Sequence, residues 1–388
     1  EFLWKFHVIP RPGEFGHDTW ENNSWLTAGD VSSWAPMSAD PELGLVYIPT
    51  NPPTIDFFGG FRPGDGLFGT SVIALDVQTG ERVWHFQTVH HDIWNFDNPT
   101  APIALDVVVD GQPTPILVQT TKQGWAYTFN RETGEPIWPI VERPVPASEV
   151  PGESLSPTQP FPTKPAAYEM QGLTVDDLID FTPQLRAEAL EIVEHYRIGP
   201  IFNPPIETGH PSGQRSFVSC PNGATNINGP TSADPLSGIL YVSTRRGCRS
   251  ENIVPGQDLD RPDDIMTTGA TIAEWAVLNR GDFRGPQGLP IWKPPYSQVV
   301  AIDMNTGEHL WAVPNGDTPD YIRNHEALQG VEFPNTGRLS YPITMVTPTL
   351  LITAEGAGGA AVLRAVDKMT GERLATVEIP APGQYGMM

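Results

Sequence analysis

The chain has 388 residues, of which 39% are hydrophobic, and carries a formal net charge of −23. Such a hydrophobic share excludes a disordered chain, and the acidic balance argues against nucleic acid or anionic lipid as partners, since both are recognised by clustered Lys and Arg. No apolar run approaches the roughly 18 residues that a membrane span needs. The 42 prolines and 37 glycines indicate a turn-rich β protein.

A repeat of the form Thr-Gly-Glu-x-x-Trp runs through the chain. Full copies end at Trp84 and Trp311, a looser copy ends at Trp138, and a copy over 365–375 has Ala375 in place of tryptophan. Each copy predicts a hairpin: a short apolar strand, a turn with a capping Asp and a positive-φ Gly, and a second strand that buries the tryptophan. Residues 1–4 fit the end of such a copy, so the chain is expected to begin inside a hairpin.

A second signature, Pro-x-Ser-Ala-Asp-Pro, occurs at 36–41 and again at 230–235, and also predicts strand, turn, strand. Repeats of this kind indicate an all-β fold, a β-propeller, with blade material at 1–55, 66–140, 214–245 and 295–380. A β-sandwich is the alternative, and the regularly placed tryptophans argue against it. We treat residues 1–388 as one domain, in a ring that is expected not to close.

Two insertions interrupt the blades, at about 141–213 and 246–294. The first is expected to be irregular up to residue 173 and then helical over 174–197, with Thr174 and Thr182 as caps and Pro183 at the first helical position. The helix is expected to pack across the propeller, with lining of a pocket as the alternative. Cys220 and Cys248 flank the second Pro-x-Ser-Ala-Asp-Pro hairpin, and both a disulfide and two buried thiols remain open.

The densest group of polar residues lies at 90–99, directly after the first full repeat. A carboxylate held near Trp94 and Phe96 would lose hydration, and its pKa would rise toward that of a general base. A polar turn between blades is the alternative. Lys122 follows the apolar strand over 116–118 and is a candidate functional cation, with a solvated loop lysine as the alternative.

These motifs resemble the tryptophan-docking repeats of the quinoprotein dehydrogenases, which bind pyrroloquinoline quinone (PQQ) on an eight-bladed propeller. The segment 4–21, the Arg-Pro-Gly-Asp motif at 62–65 and the cluster at 90–97 are similar to the membrane-bound glucose, quinate and shikimate dehydrogenase branch. The resemblance covers essentially the whole chain. It implies a partial propeller, PQQ and Ca²⁺ as cofactors, and a periplasmic location.

The resemblance also implies roles for single residues. Trp34 matches the floor on which the planar cofactor stacks, and Ser32 a hydroxyl beside it. Asn51 matches an amide oxygen ligand for calcium, and Lys122 matches the cation that hydrogen-bonds the quinone carbonyls. Asn226 and Ser243 match the far edge of the cofactor.

One position departs from the family. The usual catalytic aspartate follows the tryptophan of the 90–99 cluster, where this chain has Asn95. An amide can coordinate calcium but cannot accept a proton. Either Asp97 or Asp92 is therefore the base, or the protein is catalytically impaired. We favour Asp97, which would share a strand face with Asn95 if the segment were extended.

The resemblance implies oxidation of a CH–OH group in a sugar, polyol or alcohol, with electrons passed to a quinone or cytochrome. Membrane association would then come only from segments outside this chain. The alternative from another class is a non-catalytic propeller that serves as a scaffold or assembly module, a hypothesis supported by Asn95. Convergence of Trp34, Asn51, Asp97 and Lys122 on one site would favour the enzyme.

Overall fold

The repeats fold into four antiparallel blades. The computed structural model describes residues 2–227, 229–256 and 273–383, without the side chains of 216 and 278–282. The first blade contains β1 (Ser38–Asp40), β2 (Leu45–Pro49), β3 (Ser71–Asp76) and β4 (Arg82–Gln87). The second contains β5 (Ile103–Val109), β6 (Gln112–Thr120) and β7 (Ala126–Asn130).

The remaining blades come from the second half of the chain. The third contains β12 (Ser232–Asp234), β13 (Ile239–Arg245), β16 (Ser297–Asp303) and β17 (Glu308–Pro314). The fourth contains β18 (Ile343–Val346), β19 (Leu350–Ala354), β20 (Val362–Asp367) and β21 (Arg373–Glu378). Among the described residues the first and last blades share no strand. The all-β propeller predicted from the repeats is confirmed.

The insertions are more ordered than expected. A hairpin of β8 (Ile140–Pro144) and β9 (Thr158–Pro162) lies where an irregular loop was predicted. A further sheet joins β10 (Tyr196–Arg197), β11 (Ser216–Ser219), β14 (Arg249–Pro255) and β15 (Trp275–Asp282). Much of the second insertion predicted at 246–294 is therefore sheet, although 257–272 lie outside the described residues.

The helix predicted over 174–197 is confirmed over 183–193, whereas residues 196–197 belong to β10. Thr174 caps a 3₁₀ turn (Val175–Asp177), and α1 (Pro183–Val193) begins after Thr182, whose hydroxyl accepts a hydrogen bond from the Leu185 amide at 3.1 Å. Leu185, Ala189 and Val193 are buried against the sheet-rich insertion. A short helix, α2 (Asp320–Arg323), precedes the fourth blade. None of the described helices is long and apolar enough to cross a bilayer.

Each repeat tryptophan docks on the turn of the next repeat. The indole N–H of Trp4 donates to the Val77 carbonyl at 2.9 Å, and that of Trp84 donates to the Arg131 carbonyl at 3.1 Å. A Cβ built on Gly80 would lie 2.4 Å from the Trp4 ring. The repeat glycine therefore supplies both the positive φ of the turn and the room for the neighbouring indole. This contact joins consecutive blades.

The two Ser-Ala-Asp hairpins use their carboxylates in the same way. Asp40 pairs with Arg131 at 2.8 Å and Asp234 pairs with Lys368 at 2.7 Å. Each cation belongs to the turn of the following repeat, so a buried ion pair reinforces each of these blade junctions. The two cysteines, left open by the sequence, form a disulfide: Cys220 at the end of β11 is bonded to Cys248 just before β14.

Candidate active site

The cluster at 90–99 forms a tight turn and not an extended strand. Asn95 has a φ of 61°, in the left-handed region that asparagine tolerates best among side chains larger than glycine. Trp94 and Phe96 on either side are buried, and the Trp94 indole N–H donates to the Asn203 carbonyl at 2.9 Å. These anchors fix the backbone, so Asn95 and Asp97 reach the same cavity through a turn. The expected shared strand face is wrong.

Asp92 builds this turn from inside the protein. One of its carboxylate oxygens accepts from the Trp94 amide at 2.7 Å, and the other accepts from the Phe96 amide at 3.0 Å and the Thr70 hydroxyl at 2.8 Å. Burial raises the pKa of Asp92, with these hydrogen bonds acting in the opposite sense. Asp92 does not line the cavity that contains Asp97. Its contacts are those of a structural residue, and we do not propose it as the base.

Asp97, Lys122 and Trp34 contact one another at the cavity. The Trp34 indole N–H donates to Asp97 Oδ1 at 3.2 Å, and Lys122 Nζ donates to Asp97 Oδ2. Lys122 Nζ also lies 5.9 Å from the centre of the Trp34 ring. Trp34 is 42% exposed, whereas Asp97 is 5% exposed, so the indole presents an open face beside a shielded ion pair.

The backbone around Lys122 holds this group in place. Lys122 follows β6 in a turn that Gly124 closes with a φ of 85°. Its amide donates to the Asp97 carbonyl at 3.4 Å, and its carbonyl accepts from the Ala224 amide at 3.0 Å. One short turn therefore connects the loop after the first blade with the segment that leads into the third.

Asn95 links Lys122 to a carboxylate that the sequence reasoning did not single out. Its Oδ1 accepts from Lys122 Nζ at 2.5 Å, and its Nδ2 donates to Asp56 Oδ2. Asp56 lies between Asn51 and the Arg-Pro-Gly-Asp motif, and its proximity to those motifs was the available signal. Among the described residues no group of three or more His, Cys, Asp or Glu is arranged to hold a metal ion. The oxygens at this edge come from both amides and carboxylates.

Asn51 also lines the cavity, held by Ser32. Asn51 Oδ1 accepts from both the amide and the hydroxyl of Ser32 at 2.9 Å, and its Nδ2 donates to the Asp30 carbonyl at 2.5 Å. Ser32 therefore positions Asn51. The two lone pairs of the Asn51 amide oxygen are both engaged in this arrangement.

The opposite wall is cationic. Arg245 and Arg249 line it together with Asn226 and Tyr341, and the Arg245 guanidinium lies 5.5 Å from the centre of the Tyr341 ring. Arg245 Nε is buried and has no hydrogen-bond partner among the described residues. Ser243 lies outside the cavity, where it is buried and donates to the Pro342 carbonyl. The sequence did not single out either arginine as a site residue, although Arg245 ends β13 and Arg249 follows the disulfide-bonded Cys248.

The whole cavity encloses about 570 Å³. It brings together Trp34, Asn51, Asn95, Asp97, Lys122 and Asn226 from the residues selected by sequence, and adds Asp30, Asp56, Arg245, Arg249 and Tyr341. Ser32 contacts it only through Asn51, whereas Asp92 and Ser243 do not line it. A second cavity of about 210 Å³ shares Asn222, Arg245 and Arg249 with it and has mostly apolar walls.

Comparison with known proteins identifies the family. The family model "PQQ: Glucose/ethanol/alcohol dehydrogenase, beta-propeller domain" matches residues 1–388. The chain belongs to the PQQ-dependent quinoprotein dehydrogenase family. This quinoprotein is 43% identical to quinoprotein glucose dehydrogenase of Gluconobacter oxydans over 82% of its length, and 32% identical to that of Escherichia coli over 99%. It covers 40% and 48% of those two relatives.

A solved structure supports the fold of this quinoprotein. A europium-containing methanol dehydrogenase aligns with a TM-score of 0.58 at 19% identity, covering 98% of this chain and 51% of the other. At that identity the likeness concerns the fold alone. The chain spans about half the length of the proteins it matches.

The cavity of this quinoprotein fits the family's cofactor chemically. A planar quinone can stack on the open face of Trp34, and its acidic groups match the cationic wall where Arg245 Nε is buried and lacks a partner among the described residues. Amide and carboxylate oxygens at the Asn51–Asp56–Asn95 edge are the donors that calcium prefers. The arginines and the oxygen ligands line the same cavity, as a cofactor with a bound cation requires.

Proposed function

We propose that this chain forms the cofactor-binding part of a PQQ- and calcium-dependent dehydrogenase that oxidises a CH–OH group. The observation that carries the proposal is the mutual contact of Trp34, Asp97 and Lys122 on one cavity. Blade packing requires no exposed indole and no shielded ion pair at that place. Neither feature follows from the repeat, whose tryptophans dock elsewhere.

Each of these residues has a distinct role in the proposal. Trp34 provides the stacking surface for the cofactor. Lys122 stabilises negative charge that develops on the quinone oxygens, and its ion pair with Asp97 keeps that carboxylate in contact with the reacting centre. Asp97 accepts the hydroxyl proton of the substrate. When bound, PQQ supplies the electrophilic carbon that accepts the hydride.

We propose Asn95 as a neutral oxygen ligand for calcium, because an amide oxygen has two lone pairs and Lys122 engages one on Asn95. Asn51, the other ligand that the resemblance implies, can bind the ion only if Ser32 gives up one of its two hydrogen bonds to Oδ1. Asn226 lies on the wall that would face the far edge of the cofactor, whereas Ser243 lies away from the cavity, and we do not retain it in that role. A sugar, polyol or alcohol is the proposed substrate, with a quinone or cytochrome as acceptor. The disulfide supports an oxidising compartment such as the periplasm.

Reconstitution tests this proposal. The chain, within its full-length protein, is depleted of cofactor, supplied with PQQ and CaCl₂, and assayed by dye reduction with glucose, quinate, glycerol and simple alcohols. Turnover that depends on PQQ with at least one donor supports the enzyme. The alternative is a non-catalytic scaffold, favoured by the amide at Asn95. The scaffold hypothesis is supported if PQQ neither binds nor supports turnover with any donor.

A further inference from the structure

A buried ion pair lies behind the candidate site and does not line its cavity. His91 Nε2 lies 2.9 Å from Glu153 Oε1, and the two side chains are each 1% exposed. The other ring nitrogen, Nδ1, lies 2.7 Å from the Gly64 carbonyl oxygen. A carbonyl oxygen only accepts hydrogen bonds, and so does an ionised carboxylate, so both ring nitrogens of His91 donate. The pair is therefore an imidazolium held by a carboxylate.

The surroundings of Glu153 keep its carboxylate ionised. Burial alone would raise its pKa, but the hydrogen bond and charge of His91, the Gly59 amide and the charge of Arg62 together lower it. Oε2 accepts from the Gly59 amide at 2.5 Å, and Oε1 also accepts from the Ser154 amide at 3.0 Å. One carboxylate thus binds the histidine and two backbone amides.

His91 needs such support because its backbone is strained. Its φ is 44°, in the left-handed region that residues other than glycine seldom adopt. Such a conformation persists only where the surrounding contacts hold it. His91 is followed directly by Asp92, whose carboxylate accepts hydrogen bonds from two amides of the turn. The orientation of His91 therefore sets where the turn that leads to Asp97 begins.

Glu153 also ties this turn to a second loop of the site. A Cβ built on Gly59 would lie 2.5 Å from His91 Nε2 and 3.2 Å from Arg62 Cζ, so the loop backbone packs directly on both cations. Arg62 in turn donates to the Asp92 carbonyl at 2.7 Å. The carboxylate that binds the Gly59 amide therefore holds the loop and the turn together.

Glu153 belongs to the insertion and not to a blade. It lies in the connection between β8 and β9, residues 145–157. Val150 of that connection packs in one buried cluster with Ile55 and Phe58 of the facing loop. This packing fixes the backbone from which Glu153 reaches His91.

We infer that Glu153 is a positioning residue for the proposed reaction: it holds His91 and, through the His91 backbone, the turn that presents Asp97 to the cavity. The inference rests on the proposed function and adds to it a residue of the insertion that does not line the cavity. Trp34, the proposed stacking surface, lies on a different loop. Loss of the Glu153 charge should therefore affect proton transfer more than cofactor binding.

Glu153→Gln tests the inference, because it keeps the length of the side chain and removes its charge. The matched control is Asp234→Asn, which makes the same change from carboxylate to amide in the buried ion pair with Lys368, away from the cavity. Both are made in the full-length protein and compared with wild type at a temperature well below every thermal midpoint. Hydrogen–deuterium exchange of the cofactor-free protein reports on the turn, and dye reduction with PQQ titration reports on the reaction.

We expect Glu153→Gln to speed amide exchange in peptides that cover 90–99 and to lower kcat by roughly 10–100-fold, since a small misplacement of a catalytic group costs that much. The PQQ Kd should stay close to that of wild type, and Asp234→Asn should leave all three quantities unchanged. A folded Glu153→Gln with wild-type exchange over 90–99, or with faster exchange and wild-type kcat, overturns the inference. So does an equal fall of kcat in the control. If Glu153→Gln does not fold, Glu153→Asp replaces it with the same expectations.

The wild type separates this inference from the proposed function. If it neither binds PQQ nor turns over any donor, the proposed function is overturned, and with it the catalytic part of the inference. Faster exchange in Glu153→Gln would then still support the part in which Glu153 holds the turn. Turnover by the wild type, with exchange over 90–99 indifferent to Glu153, overturns the inference alone.

Discussion

Replacing Asp97 with asparagine removes the proposed base while keeping its shape. Oδ1 of Asp97 accepts from the Trp34 indole N–H at 3.2 Å, and Oδ2 accepts from Lys122. An asparagine has one acceptor, which the ammonium will take, so its NH₂ group will face the indole N–H. The ion pair with Lys122 becomes a hydrogen bond to a neutral amide, and the hydrogen bond to the indole is lost. The lost hydrogen bond is worth about 0.5–1.5 kcal/mol, or up to roughly tenfold in cofactor affinity.

The effect on turnover is expected to be much larger. General-base catalysis contributes about 10²–10⁴-fold, which corresponds to roughly 2.7–5.5 kcal/mol of transition-state free energy. Asp97→Asn should therefore lower kcat by that factor while the PQQ Kd changes by no more than about tenfold. Steady-state dye reduction gives the first quantity, and an absorbance titration gives the second. Near-normal kcat in Asp97→Asn would refute the choice of base, and loss of both quantities together would make Asp97 a positioning residue for Trp34.

Three further changes follow from the structure. Asn95→Asp should keep or raise dye-reduction activity at saturating calcium but lower the thermal midpoint in EDTA, because two carboxylates then face each other at Asp56; an unchanged midpoint would contradict this. Lys368→Ala leaves the buried Asp234 carboxylate without its ion-pair partner and should lower the free energy of unfolding, measured by urea titration, by about 3 kcal/mol. The control Lys164→Ala breaks an exposed ion pair with Glu308 and should lower it by less than about 1 kcal/mol. Burial, with the nearby Arg82 charge, lowers the pKa of His85 to about 4, so stability should fall as pH drops from about 6.5 to 4. His85→Gln should flatten that part of a thermal-midpoint profile, and an unchanged slope would exclude His85 as its source.

Local signals made the blades and the helix predictable. The Asp–Gly turns, the repeat tryptophans and the caps at Thr174 and Thr182 act over a few residues, so their geometry can be inferred from spacing. The hairpin β8–β9 was missed because its strands contain Pro144, Pro160 and Pro162, which disguise the alternation of a strand. The inserted sheet was missed because its strands pair across long, irregular connections.

The candidate site was only partly predictable for a similar reason. The family resemblance selected Trp34 and Lys122, and a strand argument that proved wrong selected Asp97; the structure brings the three into contact. Residue spacing could not decide whether Asp97 or Asp92 is the base. The structure decides it, because the Asp92 carboxylate accepts hydrogen bonds from the amides of its own turn. The placement of Asp56 at the site depends on contacts that Phe57 and Arg62 make with the 90–99 turn, and no local sequence pattern predicts those contacts.

The position of bound PQQ tests the central claim most directly. A crystal structure of the full-length protein with PQQ and calcium should show the planar ring stacked on the Trp34 indole, with its carbonyl edge beside Lys122 and Asp97 and its acidic groups toward Arg245. A ring bound elsewhere, or a Trp34 face left without cofactor at full PQQ occupancy, would contradict the account.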